Sequence, residues 1–480
     1  MALKIFNVLG REKQDFVPLE AGRVNMYVCG PTVQGEAHIG HAKNYVSFDV
    51  VTRYLRYSGY DVLYVQNITD VGHLLDSGED RVLKKARQLQ ARPMQIVETY
   101  TRKYFEDMDA LGIQRPDISP RASGHIPEQI KMTETLIEKG IAYVSNGSVY
   151  FDVTKDPDYG KLSNRRIEEQ EAGSRESVRD EKRNPEDFAL WKKAEPEHIL
   201  RWDSPWGEGF PGWHIECSAM AKKYLGPTFD IHGGGVDNIF PHNECEIAQS
   251  ECANDAPFAR YWMLVGSLTV DGVKMSKSLD NFVTIKDALA KYRPEVIRMF
   301  TFSAHYSSPV DYTEDALRAA QGGWERLYGA ARLTRQMLPN APQNDEGSGF
   351  LARLETAKTD FKDVMDDDFN MPKAVAVLQE LTRDVNALLN GDTKVGRPVL
   401  EAIDRTYREL GGDVLGIIPA EDAAGGDGQR EGALIELLIQ LRADARKNKN
   451  FAESDRIRNE LARLGVTLED RADGTIWKAN

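Results

Sequence analysis

Arg23-Val-Asn-Met-Tyr-Val-Cys29 alternates along its length and reads as a strand that Gly30-Pro31 ends. From about His41 to Tyr57 the apolar residues Tyr45, Val46, Phe48, Val50, Val51, Tyr54 and Leu55 recur at helical spacing, with Gly59 as the stop. Asp61-Val-Leu-Tyr-Val-Gln66 is a short apolar run that predicts a second strand. Strand, helix and strand in close succession make a βαβ unit, which builds a parallel sheet with a right-handed crossover. Ligands of such sheets bind beyond the carboxyl ends of the strands. Cys29 and Asn67-Ile-Thr-Asp70 both fall at that edge.

The chain of 480 residues is long enough for several domains. With 41% apolar residues and no run long enough to span a bilayer, it reads as soluble, with no membrane partner expected. The N-terminal Met1-Ala2-Leu3-Lys4 lacks the apolar core of a signal peptide. Four cysteines are too few for a disulfide framework, so a cytoplasmic location is expected. A net charge of −14 argues against adhesion to nucleic acid over the whole surface, but not against a local basic footprint such as Arg442 to Lys449.

The expected fold class is α/β. Residues 1–126 would form the first half of a parallel-sheet domain and 206–265 its second half, resuming at Thr228-Phe-Asp-Ile-His232 with a Gly233-Gly-Gly235 turn after it. The more polar 127–205 reads as an insertion, and 266–318 as a junction. A helical region is expected over 319–418, a Gly- and Asp-rich linker over 419–432, and a small module with two hairpin strands over 433–480.

Two motifs carry the chemistry. Ala37-His38-Ile-Gly40-His41 sits where the first strand turns into its helix, and a helix N-terminus suits phosphate. Two imidazoles could donate to one phosphate chain while Gly40 allows close approach, although the pair alone is equally two surface histidines at a turn. Lys274-Met-Ser-Lys277-Ser278 follows a Gly-containing turn, and its ammonium groups could follow the charge on a departing pyrophosphate. Together the motifs resemble the two signatures of class I aminoacyl-tRNA synthetases. The segments Tyr27-Val-Cys-Gly-Pro-Thr-Val33, Asn67-Ile-Thr-Asp70, Lys182 to Trp191, Trp202-Asp-Ser-Pro-Trp206, Gly212 to Met220 and Phe229 to Asp237 narrow the resemblance to the cysteinyl-tRNA synthetase family.

His242 and Glu246 are four apart, so on a helix started by Pro241 they share one face. That spacing alone is weak, and the resemblance adds Cys29 and Cys217 to make a four-ligand Zn²⁺ site. Zinc would distinguish the thiol of cysteine from the hydroxyl of serine, a change too small for shape selection. The resemblance further implies that His38, His41, Lys274 and Lys277 are catalytic. Gly40, Gly234, Asp237 and Lys277 would bind ATP with Mg²⁺, and Thr69, Trp213 and His214 would wall the amino-acid pocket. Arg446, Asp455 and Asp470 would read the anticodon.

The implied fold is a class I Rossmann-like catalytic domain with an insertion, a helical domain and a small C-terminal module. The implied reaction joins L-cysteine to tRNA(Cys) at the expense of ATP, in a monomeric enzyme. Two departures stand out. Asn243, Glu244 and Cys245 replace the His and Glu-Asn common in the family, and Gln34-Gly35 replaces a Tyr-Asp. Cys245 adjoins Glu246 and is read as a bystander, because it points about 100° away on a helix. The rival readings are a cysteine ligase with an amino-sugar acceptor, which would lack the C-terminal module, and a non-catalytic RNA-binding paralogue, which would not need the intact motifs.

Overall fold

The computed structural model of the chain describes residues 2–72, 80–165, 181–196, 198–275, 281–391, 394–420, 427–471 and 474–479. Among these residues the elements that position the site begin with β1 (Arg23–Val28), α1 (Ile39–Tyr57), β2 (Asp61–Gln66) and α2 (Arg81–Gln88). They continue with α3 (Trp213–Leu225), β3 (Phe229–Gly235), α4 (Glu244–Asn254) and β4 (Ala259–Val265). The four strands pair in parallel in the order β4-β3-β1-β2. Val24, Met26, Val28, Val65 and Ile231 are fully buried, because helices cover both faces of a parallel sheet.

The Gly233-Gly-Gly235 segment is part of β3, not a turn after it. A Cβ on Gly233 would lie 2.4 Å from the ring of Phe48, so the glycine lets α1 press directly on the strand. At its other end α1 is anchored to the helical region. The Arg298 guanidinium, 1% exposed, lies 2.6 Å from Asp49 and donates to the carbonyl of Leu415, while Tyr54 donates to Asp366.

The strands Ala142–Ser145, Ser148–Phe151, Phe188–Lys193 and Gly209–Pro211 form a separate antiparallel sheet between the halves of the catalytic sheet. Its core of Val149, Phe151, Phe188 and Leu190 also takes in Ile215 and Cys245 from α3 and α4. After β4 come β5 (Leu268–Val270) and β6 (Val273–Lys274), an antiparallel hairpin, with β7 (Val310–Tyr312) parallel to β5.

The helices Glu314–Met337, Phe350–Asp366, Met371–Leu389 and Arg397–Thr406 follow. Asp427–Lys447 begins inside the stretch read as a linker, so helix extends upstream of the expected module. Two strands, Val466–Arg471 and Gly474–Ala479, close the chain as an antiparallel hairpin. No helix among the described residues is long and apolar enough to cross a membrane.

Candidate active site and metal cluster

Cys29 emerges directly from β1, Cys217 projects from the second turn of α3, and Glu246 lies in the first turn of α4. His242 belongs to an irregular helical turn, Ile239–Asn243. Regular helix starts only at Glu244, later than Pro241 suggests, because Phe240 has extended backbone. One donor atom from each of the four residues fits within 4.8 Å of all the others, and all four residues are buried. His242 Nε2 is 3.1 Å from Glu246 Oε1 and 3.6 Å from Cys217 Sγ, and Cys29 Sγ is 3.6 Å from Glu246 Oε1. Ligand–ligand edges of a tetrahedron with bonds near 2.0–2.3 Å are about 3.3–3.8 Å. The donor set and its spacing fit a zinc ion.

The surroundings orient the donors. Glu246 Oε2 faces His232 Nε2 at 2.9 Å and accepts from Asn243 Nδ2 at 3.0 Å, which leaves Oε1 toward the cluster. His242 Nδ1 is 3.0 Å from His214 Nδ1, which leaves Nε2 toward the cluster. His214 therefore braces a donor from behind and does not line the cavity as a pocket wall. Burial opposes a charge on His242, but Glu246 and Cys217 outweigh it and raise the imidazole to about 10. Burial pushes the Cys217 thiol well up. Cys245 turns away, with its sulfur 3.6 Å from the Tyr159 hydroxyl in the core of the inserted sheet.

A cavity of about 710 Å³ opens above Cys29, Cys217 and His242. Thr69 and Trp213 line it, and the Trp213 ring lies 4.3 Å from that of His242. Gly30 joins the cluster to the floor: its N–H donates to Asn67 Oδ1 at 2.8 Å, and a Cβ there would lie 1.5 Å from the Asn67 carbonyl oxygen. At the other end His38 caps α1, and its N–H donates to His41 Nδ1 at 3.2 Å while the two rings stack 3.7 Å apart. Accepting at Nδ1 puts the ring proton of neutral His41 on Nε2. Burial, and then His38, hold His41 well below the ordinary imidazole range.

The chain just after the second motif bonds to the first through the backbone, and Met275 of the motif reaches it with its side chain. Ile39 N–H donates to Val283 and Ile285 N–H to Ala37, and a Cβ on Gly40 would lie 3.7 Å from the Met275 methyl. Lys274 pairs with Asp237 at 3.2 Å on the cavity lip. Lys277 lies outside the described residues. Gly234 packs against Cys29, and its neighbour Gly235 lines the cavity in its place.

Residues 15–322 match the family model of the class I (C) tRNA synthetase catalytic domain, 360–419 the DALR domain, and 433–477 the cysteinyl-tRNA ligase anticodon binding domain. The cysteine–tRNA ligase of Deinococcus radiodurans is 52% identical, covering 99% of this chain and 96% of that protein. The chain belongs to the cysteinyl-tRNA ligase family. The cysteine–tRNA ligase of Chlorobaculum tepidum is 50% identical over 99% of both chains. The fold is also that of a Mycobacterium tuberculosis methionyl-tRNA synthetase solved with methionyl-adenylate (TM-score 0.59, 15% identity, 83% of this chain and 92% of that one). An Agrobacterium radiobacter LeuRS in a ternary complex has a TM-score of 0.61 at 12% identity, over 84% of this chain and 85% of that one.

In the region matching the ligase family's anticodon binding domain, Arg446 and Asp470 meet at 3.1 Å, while Asp455 is exposed. Arg442 grips both Asp470 oxygens at 2.7 Å, Thr475 donates to one of them, and the guanidinium holds the carboxyl well below its usual range. Asp470 is thus engaged internally, with both carboxylate oxygens shared among Arg442, Arg446 and Thr475. Two groups of the catalytic half escape a motif-based reading. Lys43, 1% exposed, donates to the carbonyls of Gly266, Ser267 and Ser308, and burial lowers its ammonium to about 8. Arg81, Lys84, Lys85 and Gln88 of α2 line the cavity, at a spacing of three, four and seven residues that the sequence displays openly.

Proposed function

We propose that this chain activates L-cysteine with ATP and Mg²⁺ and transfers it to the 3′-terminal ribose of tRNA(Cys). The observation that carries the reading is one cavity with the Cys29, Cys217 and His242 donors at its floor, clustered with Glu246, and the His38–His41 pair at its rim. A zinc ion held by Cys29, Cys217, His242 and Glu246 would supply a preference for the softer, more readily deprotonated sulfur of cysteine over the oxygen of serine.

The substrate carboxylate attacks the α-phosphorus, a new acyl–phosphate bond forms, and pyrophosphate leaves with the electrons of the broken bond. His41, neutral with its proton on Nε2, donates to a phosphate oxygen without adding a fixed charge. His38 stacks on it and fixes the ring. Lys274 and Lys277 neutralise the charge that grows on the leaving pyrophosphate. A terminal ribose hydroxyl then attacks the acyl carbon and AMP departs. No side-chain nucleophile takes part, so positioning and charge supply the catalysis. Asp237 would hold ribose hydroxyls, and Thr69 and Trp213 would wall the amino-acid pocket. Arg446, Asp455 and Asp470 would form the anticodon contacts, and the enzyme would act as a cytoplasmic monomer.

Cysteine-dependent exchange of pyrophosphate into ATP, followed by charging of tRNA(Cys), tests the assignment. Exchange with cysteine and not serine is expected. Equal exchange with serine refutes the selector role of the four donors, and exchange without charging of any tRNA refutes the acceptor.

A further inference from the structure

The α2 stripe is not used by the chemistry above. Arg81, Lys84, Lys85 and Gln88 share one face of an eight-residue helix, while Val82, Leu83 and Ala86 on the opposite face are buried. The basic face borders the active-site cavity of a chain with a net charge of −14. Among the described residues two carboxylates line that cavity, and both are already engaged. Glu36 pairs with Lys103 and, at 3.6 Å, with Lys286. Asp237 pairs with Lys274. Asp80, at the head of α2, gives both oxygens to the N–H groups of Gly72, Val82 and Leu83. Lys84 and Lys85 make no ion pair among the described residues. Among the described residues the two ammonium groups therefore face the cavity without a counter-charge.

Their position separates them from the nucleotide. β2, which precedes α2, is one edge of the sheet, whereas Gly235, Val265 and Gly266, which line the nucleotide side, belong to or follow β3 and the opposite edge strand β4. Arg81 stands three and four residues before Lys84 and Lys85, a spacing that puts it about 5–6 Å from each on the helix surface, close to the phosphate spacing of an extended single strand. We propose that Lys84 and Lys85, with Arg81 beside them, bind the phosphodiester backbone of the single-stranded 3′ end of the tRNA and lead it to the activated amino acid. This site rests on the tRNA-charging reading above.

The test uses the full-length enzyme with Lys84→Ala, Lys85→Ala and the double substitution, and tRNA(Cys) transcripts with and without their 3′ single-stranded nucleotides. Cysteine-dependent pyrophosphate exchange without tRNA should stay within about twofold of the parent. The double variant should lose tenfold or more in kcat/KM for tRNA. The slope of log affinity against log salt should shrink by about 0.7 for each lysine removed. In direct binding, the parent should prefer the intact transcript over the truncated one, and the double variant should lose that preference, with Lys85→Arg retaining it. Parallel loss of exchange and charging would assign the stripe to ATP and overturn the proposal, as would unchanged charging and an unchanged preference for the intact 3′ end. Should the parent show no cysteine-dependent exchange, the function fails on its own account. The binding comparison then still decides the stripe.

Discussion

Gly30→Ala is the most searching small perturbation of this site. The added methyl would sit 1.5 Å from the carbonyl oxygen of Asn67 and 2.6 Å from its carbonyl carbon. Relief to an ordinary contact of ~3.5 Å requires a displacement of roughly 2 Å between the chain leaving β1 and the chain leaving β2. The opposing atoms are backbone, so no side-chain rotation can absorb the strain. The 2.8 Å bond from Gly30 N–H to Asn67 Oδ1 opens with it, at a cost of about 1 kcal/mol. Overpacking adds about 1–3 kcal/mol, so a total of roughly 2–4 kcal/mol is expected. Cys29 is the adjacent residue, and a shift of even 1 Å at a reacting centre lowers rate by about 100-fold. Thermal melting, zinc content and cysteine-dependent exchange measured on one preparation should therefore fall together. Parental zinc stoichiometry with unchanged kcat/KM for cysteine would refute the claim that Gly30 fixes the position of Cys29.

Four shorter predictions follow from other parts of the structure. Cys217→Ser should lose zinc and raise the KM for cysteine by tenfold or more, and full zinc content by metal analysis would remove Cys217 from the ligand set. Arg298→Met leaves the Asp49 carboxylate, 0% exposed in its side chain, short of its principal buried partner; a loss of about 3 kcal/mol or more is expected in urea unfolding, and a loss below about 1 kcal/mol would show the pair to be dispensable. His198 stacks 4.0 Å from Phe210, and burial, helped by Arg201 and Arg87, holds it down at about 4. Its folded pKa lies below its unfolded value near 6.5, so stability present above ~6.5 should decline toward pH 4 by at most about 3 kcal/mol; His198→Phe should flatten that part of the pH profile, and an unchanged profile refutes the assignment. Asp237→Asn removes an exposed pair and should cost less than about 1 kcal/mol of stability, while raising the KM for ATP; an unaltered KM would exclude the carboxylate from the nucleotide site.

The first strands of the sheet were legible because Arg23–Cys29 alternates, Asp61–Gln66 is a short apolar run, and α1 between them has a clear helical period. The β3 glycines misled because a Gly triplet usually marks a turn. Here the space a side chain would fill is taken by Phe48. Spacing could place His242 near Glu246, but no local pattern could bring Cys29 and Cys217 to them from separate elements. His214 reads as a pocket wall by its position beside Trp213, yet one residue along a helix turns the side chain by about 100°, and it lands behind His242. Lys43 and the α2 stripe carry no motif. Lys43 matters through three backbone carbonyls, which a sequence does not display. Asp470 was reached through the family resemblance, but its bidentate grip by Arg442 is a tertiary contact between a helix and the hairpin that the resemblance did not name.

The Lys274–Asp237 contact alters what nucleotide binding means for this protein. Before ATP arrives each of these charges already neutralises the other, so the rim carries little net attraction of its own from this pair. On the function proposed above, binding would then be an exchange of partners, with Asp237 released to the ribose and Lys274 to the phosphates. The electrostatic gain is the difference between two pairings and not the sum of two new ones, and the affinity for ATP should depend on ionic strength less steeply than the number of cations at the rim suggests.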